Sequence, residues 1–173
     1  KVWEASVREI AERDLPLFVK PLNEKELSGV VVNDMADLVE YASRGDDCRV
    51  YCSDPVDFTS ECRLFIRRGS LVGVRHYRGD PHVWPDVDVV NGIIKAYAAD
   101  PDAPAGCSIG LGVTPGGKTF LVEVNDGYSL GCYGLDSAAY AFLLAARWAE
   151  LVGEEDALAN LDSTGFPREG KPV

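Results

Sequence analysis

The chain has 173 residues, 46% of them hydrophobic, and a formal net charge of −11. That length makes one domain or two small lobes, with enough apolar residues for a core. The charge excludes a nonspecific nucleic-acid coat, which needs clustered Lys and Arg to displace counterions. No apolar run approaches the roughly 18 residues of a membrane span, and no signal-peptide pattern opens the chain.

Residues 2–13 read as an amphipathic helix, with Val2, Trp3, Val7, Ile10 and Ala11 on one stripe. The abrupt start at Lys1 in such sequence is expected of a piece of something longer. Pro16 ends the helix, because proline cannot continue a helix interior. Leu17, Phe18 and Val19 then form a short strand closed by Lys20 and Pro21. A polar loop ending in Ser28-Gly29 and a strand over residues 30–32 make a flap whose backbone N–H groups suit phosphate. Asn33 or Asp34 caps a second helix, which buries Met35, Leu38, Val39, Tyr41 and Ala42 and stops at Gly45. Residues 49–52 are a third strand. Residues 1–53 thus form one compact α+β lobe, and residues 53–56 are a turn or hinge.

The pattern then turns to β. Residues 61–66 and 71–77 flank a hairpin signal at Arg67, Arg68, Gly69 and Ser70. Sharing a core face between Leu64, Ile66, Val72 and Val74 requires a three-residue loop, Arg68 to Ser70. That register sets Arg63 opposite Arg75 and Glu61 opposite Tyr77. Two arginines across a ladder repel unless an anion lies between them. Either Glu61 or a substrate phosphate would serve.

His76 and His82 have no nucleophile partner in a recognisable motif. Residues 88–99 are helical, with Val89, Ile93, Ala96 and Tyr97 inward. Two strands follow, over residues 107–113 and 118–125, joined by a Thr-Pro-Gly-Gly turn. In the second, alternation sends Phe120, Val122 and Val124 to a core face and Leu121, Glu123 and Asn125 to the other. Glu123 and Asn125, with Asp126 just beyond, are hard oxygen ligands that suit Mg²⁺ held against phosphate, or else a merely polar outer face. Residues 136–152 form the longest helix, with Ala139, Phe142, Leu143, Ala146, Trp148 and Ala149 mostly buried; Gly153 ends it. Residues 154–173 are expected to be a weakly packed or disordered tail. The five cysteines, Cys48, Cys52, Cys62, Cys107 and Cys132, fit no zinc spacing and read as free thiols of a cytoplasmic protein.

In order and spacing, Leu17 to Pro21, Ser28-Gly29, Glu61 to Phe65 and Glu123 to Asp126 resemble the ATP-grasp superfamily, specifically its C-terminal portion. The run Glu123 to Leu135 is similar to a little-characterised branch named for two arginines and a lysine, linked by context to RNA repair or peptide tagging. The resemblance covers roughly residues 3–150, and the lobe that usually precedes this region is missing from the sequence. It implies an ATP-grasp-like α+β fold of two small lobes, residues 1–53 and 54–153, with a largely antiparallel sheet in the second.

It further implies an ATP- and Mg²⁺-dependent ligase joining a carboxylate to an amine through an acyl phosphate. Lys20 would contact the phosphates and the Ser28-Gly29 loop would cover them. Backbone groups of Tyr51, Cys52 and Ser53 would face the adenine, Asp57 the ribose, and Glu61 would belong to the nucleotide set. Arg63 and Arg75 would hold the transferring phosphoryl group. Glu123, Asn125 and Asp126 would bind Mg²⁺. The family's usual Asp on the preceding strand is matched here by Gly110, which Asp126 or Glu61 would offset. A nucleotide-binding or regulatory module without turnover is the alternative, and a plain interaction domain a third reading. The carboxylate, the amine and the oligomeric state stay open.

Overall fold

The computed structural model describes residues 1–22, 29–43 and 48–161. The fold is α+β, and the chain divides into two compact units, Lys1–Asp57 and Phe58–Val173.

Unit one is built on an antiparallel sheet of β1 (Val2–Ser6), β2 (Leu17–Pro21), β3 (Val30–Val32) and β4 (Arg49–Ser53), in the order β1-β4-β2-β3. Alternation divides β2 and β4 between two faces. Val19 pairs with Cys52 on the inner face, and both are fully buried with Leu17, Val32, Val50 and Tyr41. The helix expected over residues 2–13 is not formed. Residues 2–6 pair instead with β4, from Val2 opposite Ser53 to Ser6 opposite Arg49. Val7–Glu9 and Glu12–Asp14 are 3-10 turns, the first capped by Ser6. Val7 and Ile10 still reach the core. The apolar stripe was real, but an available ladder edge and the β preference of Val2 and Trp3 decided the backbone.

Asp34 caps the next segment through a 2.8 Å bond from the Ala36 N–H. The segment is a 3-10 turn, Met35–Leu38, followed by α1 (Val39–Ala42). Leu38 and Tyr41 are buried, whereas Met35 and Val39 face solvent, against expectation. The expected stop at Gly45 lies outside the described residues.

Unit two holds β5 (Ser60–Arg67), β6 (Ser70–Gly79), β7 (Gly106–Val113) and β8 (Thr119–Asp126), antiparallel in the order β6-β5-β7-β8. One face packs Leu64, Ile66, Cys107, Ile109 and Leu111 against α2 (Val87–Ala99) through Val90, Ile93, Ile94 and Tyr97. Val89, expected inward, is exposed. The other face packs Phe65 against Leu135 and, from α3 (Ser137–Val152), Ala139 and Leu143. Trp148, expected inside, is exposed.

The β5–β6 turn is two residues, not three. Arg68 and Gly69 both have positive φ, +48° and +72°, the signature of a tight hairpin whose twist matches its strands. The extra residue is absorbed by a bulge, since Phe65 faces Gly73 while Ile66 faces Leu71. Val72 therefore packs on the Phe65 side rather than beside Leu64. A second bulge puts Arg78, not Tyr77, opposite Glu61. Between the bulges the expected register holds, with Arg63 opposite Arg75.

Strand β8 is an edge, and Phe120, Val122 and Val124, expected in a core, are exposed with Leu121. A bulge contributes, because Gly110 pairs with Glu123 but Leu111 with Leu121, which breaks the alternation at Val122. The start of the expected tail is not loose. Asp156 is buried, and residues 156–161 close over the end of β5. All five cysteines are free thiols. Among the described residues, no helix is long and apolar enough to cross a membrane.

Candidate functional site

In unit one, the face of β2 and β4 turned away from the core carries Phe18, Lys20, Tyr51 and Ser53. Lys20 pairs with Tyr51 and Phe18 with Ser53. Cys52 alternates inward and is fully buried, so only its backbone can meet a ligand. A Cβ built on Gly29 would lie 2.3 Å from Phe18 Cζ. The chain entering β3 therefore crosses close over that ring, and any Cβ at this position would force the ring to shift. Asp57 is exposed. Ser28 and the rest of the flap, residues 23–28, lie outside the described residues.

In unit two, the candidate residues fall into two neighbouring rows across the four strands. The first runs Arg75, Arg63, Gly110, Glu123, and the second Gly73, Phe65, Ser108, Asn125. Arg63 and Glu123 stand two strands apart, about 10 Å between backbones. Their side chains meet over Gly110, with Arg63 Nη2 2.7 Å from Glu123 Oε1. Gly110 thus has a positive role, since a Cβ there would stand 3.1 Å from Glu123 Cγ. Restoring the family carboxylate by Gly110→Asp is expected to push Glu123 off Arg63 and lower the melting temperature, without strengthening metal binding. A calorimetric scan with and without Mg²⁺ checks both.

The anion beside Arg63 is therefore Glu123, not Glu61. Glu61 instead accepts from the Tyr77 hydroxyl at 2.8 Å and pairs with Arg78 at 3.1 Å. Burial, and next the bond to Glu61, push the Tyr77 phenol well above its ordinary range. The arginine pair escapes repulsion because each guanidinium turns to its own acceptors. Arg75 Nε donates to the Gly134 carbonyl at 2.9 Å and Nη1 to the Val74 carbonyl at 2.7 Å. Arg63 lies against two rings, 4.5 Å from the Tyr133 centroid and 5.2 Å from that of Tyr77. Neither tyrosine stood out in the sequence as a neighbour of Arg63. The bulge that turns Tyr77 toward Glu61 and the loop that carries Tyr133 are features of backbone geometry.

Asp126 is not brought to Glu123 and Asn125. Its carboxylate takes a two-pronged bond from Arg147, at 2.7 and 2.6 Å, and accepts from the Tyr128 N–H. That bond, more than any other influence, raises the Arg147 pKa above its ordinary value.

A fit to Mg²⁺ rests on Glu123 and Asn125. Among the described residues no group of three or more His, Cys, Asp or Glu is placed to hold a metal. Mg²⁺ needs no such cage, because it commonly takes one or two carboxylates and completes its shell with phosphate oxygens and water. A fit to an anion is favoured by Arg63 Nε, Ser108 Oγ and Asn125 Nδ2, all buried without a hydrogen-bond partner on these two rows. Such atoms cost roughly 1–3 kcal/mol each when left unsatisfied, and they suit a polar occupant.

Solved structures share the fold. A D-alanine–D-alanine ligase from Bacillus anthracis aligns at 17% identity and TM-score 0.57, over 88% of this chain and 62% of that one. An L-amino acid ligase from Bacillus licheniformis aligns at 17% and 0.58, over 99% of this chain and 46% of its own. An N5-carboxyaminoimidazole synthetase from Staphylococcus aureus, complexed with ADP, aligns at 11% and 0.55, over 90% and 46%. The chain spans roughly half the length of these proteins. No curated protein sequence matches it. A family model for an ATP-grasp domain, family 2 of its clade, matches residues 1–143. That match takes in all of unit one and every strand of unit two, and the chain belongs to this ATP-grasp family.

Proposed function

We propose that the protein is an ATP- and Mg²⁺-dependent carboxylate–amine ligase. A carboxylate oxygen of the donor attacks the γ-phosphorus, the bond to the ADP oxygen breaks, and an acyl phosphate forms. The amine nitrogen then attacks the acyl carbon, inorganic phosphate leaves, and the nitrogen loses a proton to give the amide. Both steps need positive charge placed where negative charge develops more than they need a covalent catalyst. Arg63 and Arg75 are assigned that task. Lys20 is assigned to the phosphates, the Ser28-Gly29 segment to their cover, and the backbone of Tyr51, Cys52 and Ser53 with Asp57 to the nucleoside. Glu123 and Asn125 are assigned to Mg²⁺, which when bound neutralises phosphate charge. Glu61 holds Tyr77 in place beside Arg63.

The observation that carries this reading is the row pairing Arg75, Arg63 and Glu123 on one face, beside buried donors with no partner. A second reading, nucleotide binding without turnover, is favoured by Gly110 at the expected carboxylate position and by the Arg63–Glu123 bond. Mg·ATP is expected to raise the melting temperature under either reading, because it binds the native state alone. Release of ADP and phosphate that depends on an added carboxylate and amine selects the ligase. A thermal shift with no release selects the binding module, and no shift with no calorimetric heat ends both.

A further inference from the structure

The segment between β8 and α3 touches both arginines. Tyr133 and Gly134 are successive residues with left-handed backbone, φ +47° and +76°, and a bond from the Leu135 N–H to the Cys132 carbonyl closes the turn at 2.8 Å. This conformation lays the Tyr133 ring on the Arg63 guanidinium and aims the next carbonyl, that of Gly134, at Arg75 Nε. The Tyr77 and Tyr133 centroids are 5.4 Å apart and the rings are tilted by 54°. With Arg63 Cζ they make a nearly equilateral triangle of 4.5, 5.2 and 5.4 Å. The rings therefore meet as a corner, not a sandwich. They wall two sides of the guanidinium and leave the others to Glu123 and to an incoming anion. The turn is seated by Leu135, whose Cδ1 occupies the notch above Gly73, where a Cβ would stand 2.4 Å away.

We propose that Tyr133 is a positioning residue, and that its turn aims both arginines at the terminal phosphate and so sets the preference for a nucleoside triphosphate over a diphosphate. This rests on the ligase reading above. An aromatic face beside a guanidinium attracts it and keeps water from it, which strengthens its hold on an anion. Losing the ring should cost roughly tenfold in affinity for the triphosphate and little for the diphosphate.

The test is calorimetric binding of the Mg²⁺ complexes of ADP and of the β,γ-imido analogue of ATP. Tyr133→Asn removes the ring while suiting the left-handed backbone, and Tyr133→Phe keeps the ring face. The expected result is a large fall in triphosphate preference for Tyr133→Asn, with ADP affinity unchanged and Tyr133→Phe behaving as wild type. Should Tyr133→Asn not fold, Gly73→Ala lifts the seat of Leu135 and is expected to give the same loss with the ring intact. If wild type binds the triphosphate and either folded variant keeps its preference, the inference is overturned while the ligase reading stands. If wild type binds neither nucleotide, the ligase reading is overturned and this inference with it.

Discussion

Arg67→Met should lower the unfolding free energy by about 3–5 kcal/mol, a large part of the total for a domain this size. Arg67 is fully buried at the end of β5, and its guanidinium lies 5.4 Å from the Phe142 centroid. Its Nη1 donates to the Leu161 carbonyl at 2.8 Å, and its Nη2 to the Leu158 carbonyl and to Asp156 Oδ2. Methionine fills the space but leaves two carbonyls without this donor, and Asp156 with Arg68 as its remaining guanidinium partner. Urea titration measures the loss. Arg67→Met with Asp156→Leu should recover only part of it, because it removes the weakened charge pair but leaves the Leu158 and Leu161 carbonyls without this donor. An equal loss in single and double variants would assign the cost to packing and the two carbonyl bonds rather than to the charge on Asp156.

The same contact predicts a pH dependence. Burial pushes the Asp156 carboxyl up, but the Leu158 N–H and the Arg68 and Arg67 guanidiniums outweigh it and hold the pKa below the ordinary value. A carboxyl depressed in the folded state stabilises fully above its unfolded pKa, near 4, and loses that contribution as pH falls through the folded value. The stability gap between wild type and Asp156→Asn should therefore narrow below about pH 4.

Glu123→Gln should tighten binding of inorganic pyrophosphate in the absence of Mg²⁺, while Arg63→Met should abolish it. The two charges neutralise each other across Gly110, so an anion reaching Arg63 must first compete with Glu123. Removing the carboxylate frees the guanidinium, and the gain should be on the order of tenfold. The same variant should lose the enhancement that Mg²⁺ gives to ATP binding. Arg63→Met should cut any turnover by on the order of 10²–10³-fold, the usual cost of removing one donor aimed at developing charge. It should cost only about 1–2 kcal/mol of stability, because Glu123 is a quarter exposed and can be rehydrated. Calorimetry with pyrophosphate decides. Weaker binding by Glu123→Gln would mean that the carboxylate positions Arg63 rather than competing for it.

These expectations differ from those the sequence supports, and the reason is local. Opposing arginines are legible from alternation and a hairpin signal, so Arg63 opposite Arg75 could be read without a structure. Their counter-ions could not. Alternation assigns a residue to a face, but reach across two strands depends on what stands between, and here a glycine lets Glu123 cross to Arg63. Gly110 read in isolation is a missing ligand. In the sheet it is the gap through which an ion pair passes. Asp126 likewise looks like a third oxygen ligand beside Glu123 and Asn125, until Arg147 approaches it from α3.

By itself the sequence determined the α+β class, the strands that carry Lys20, Arg63, Arg75, Glu123 and Asn125, the two long helices over residues 88–99 and 136–152, and the cap at Asp34, because short-range periodicity and capping chemistry are written in neighbouring residues. Only the tertiary structure decided the rest. An amphipathic stripe at residues 2–13 becomes a strand when a ladder edge is free to pair with it. An apolar face on β8 stays exposed because neither core cluster of the second unit extends over it. Arg67, unremarkable beside Arg68 in a turn signal, becomes a fully buried charge because residues 156–161 return to its guanidinium from about 90 positions away. Pairing across such distances depends on loop closure and packing, which no local pattern encodes.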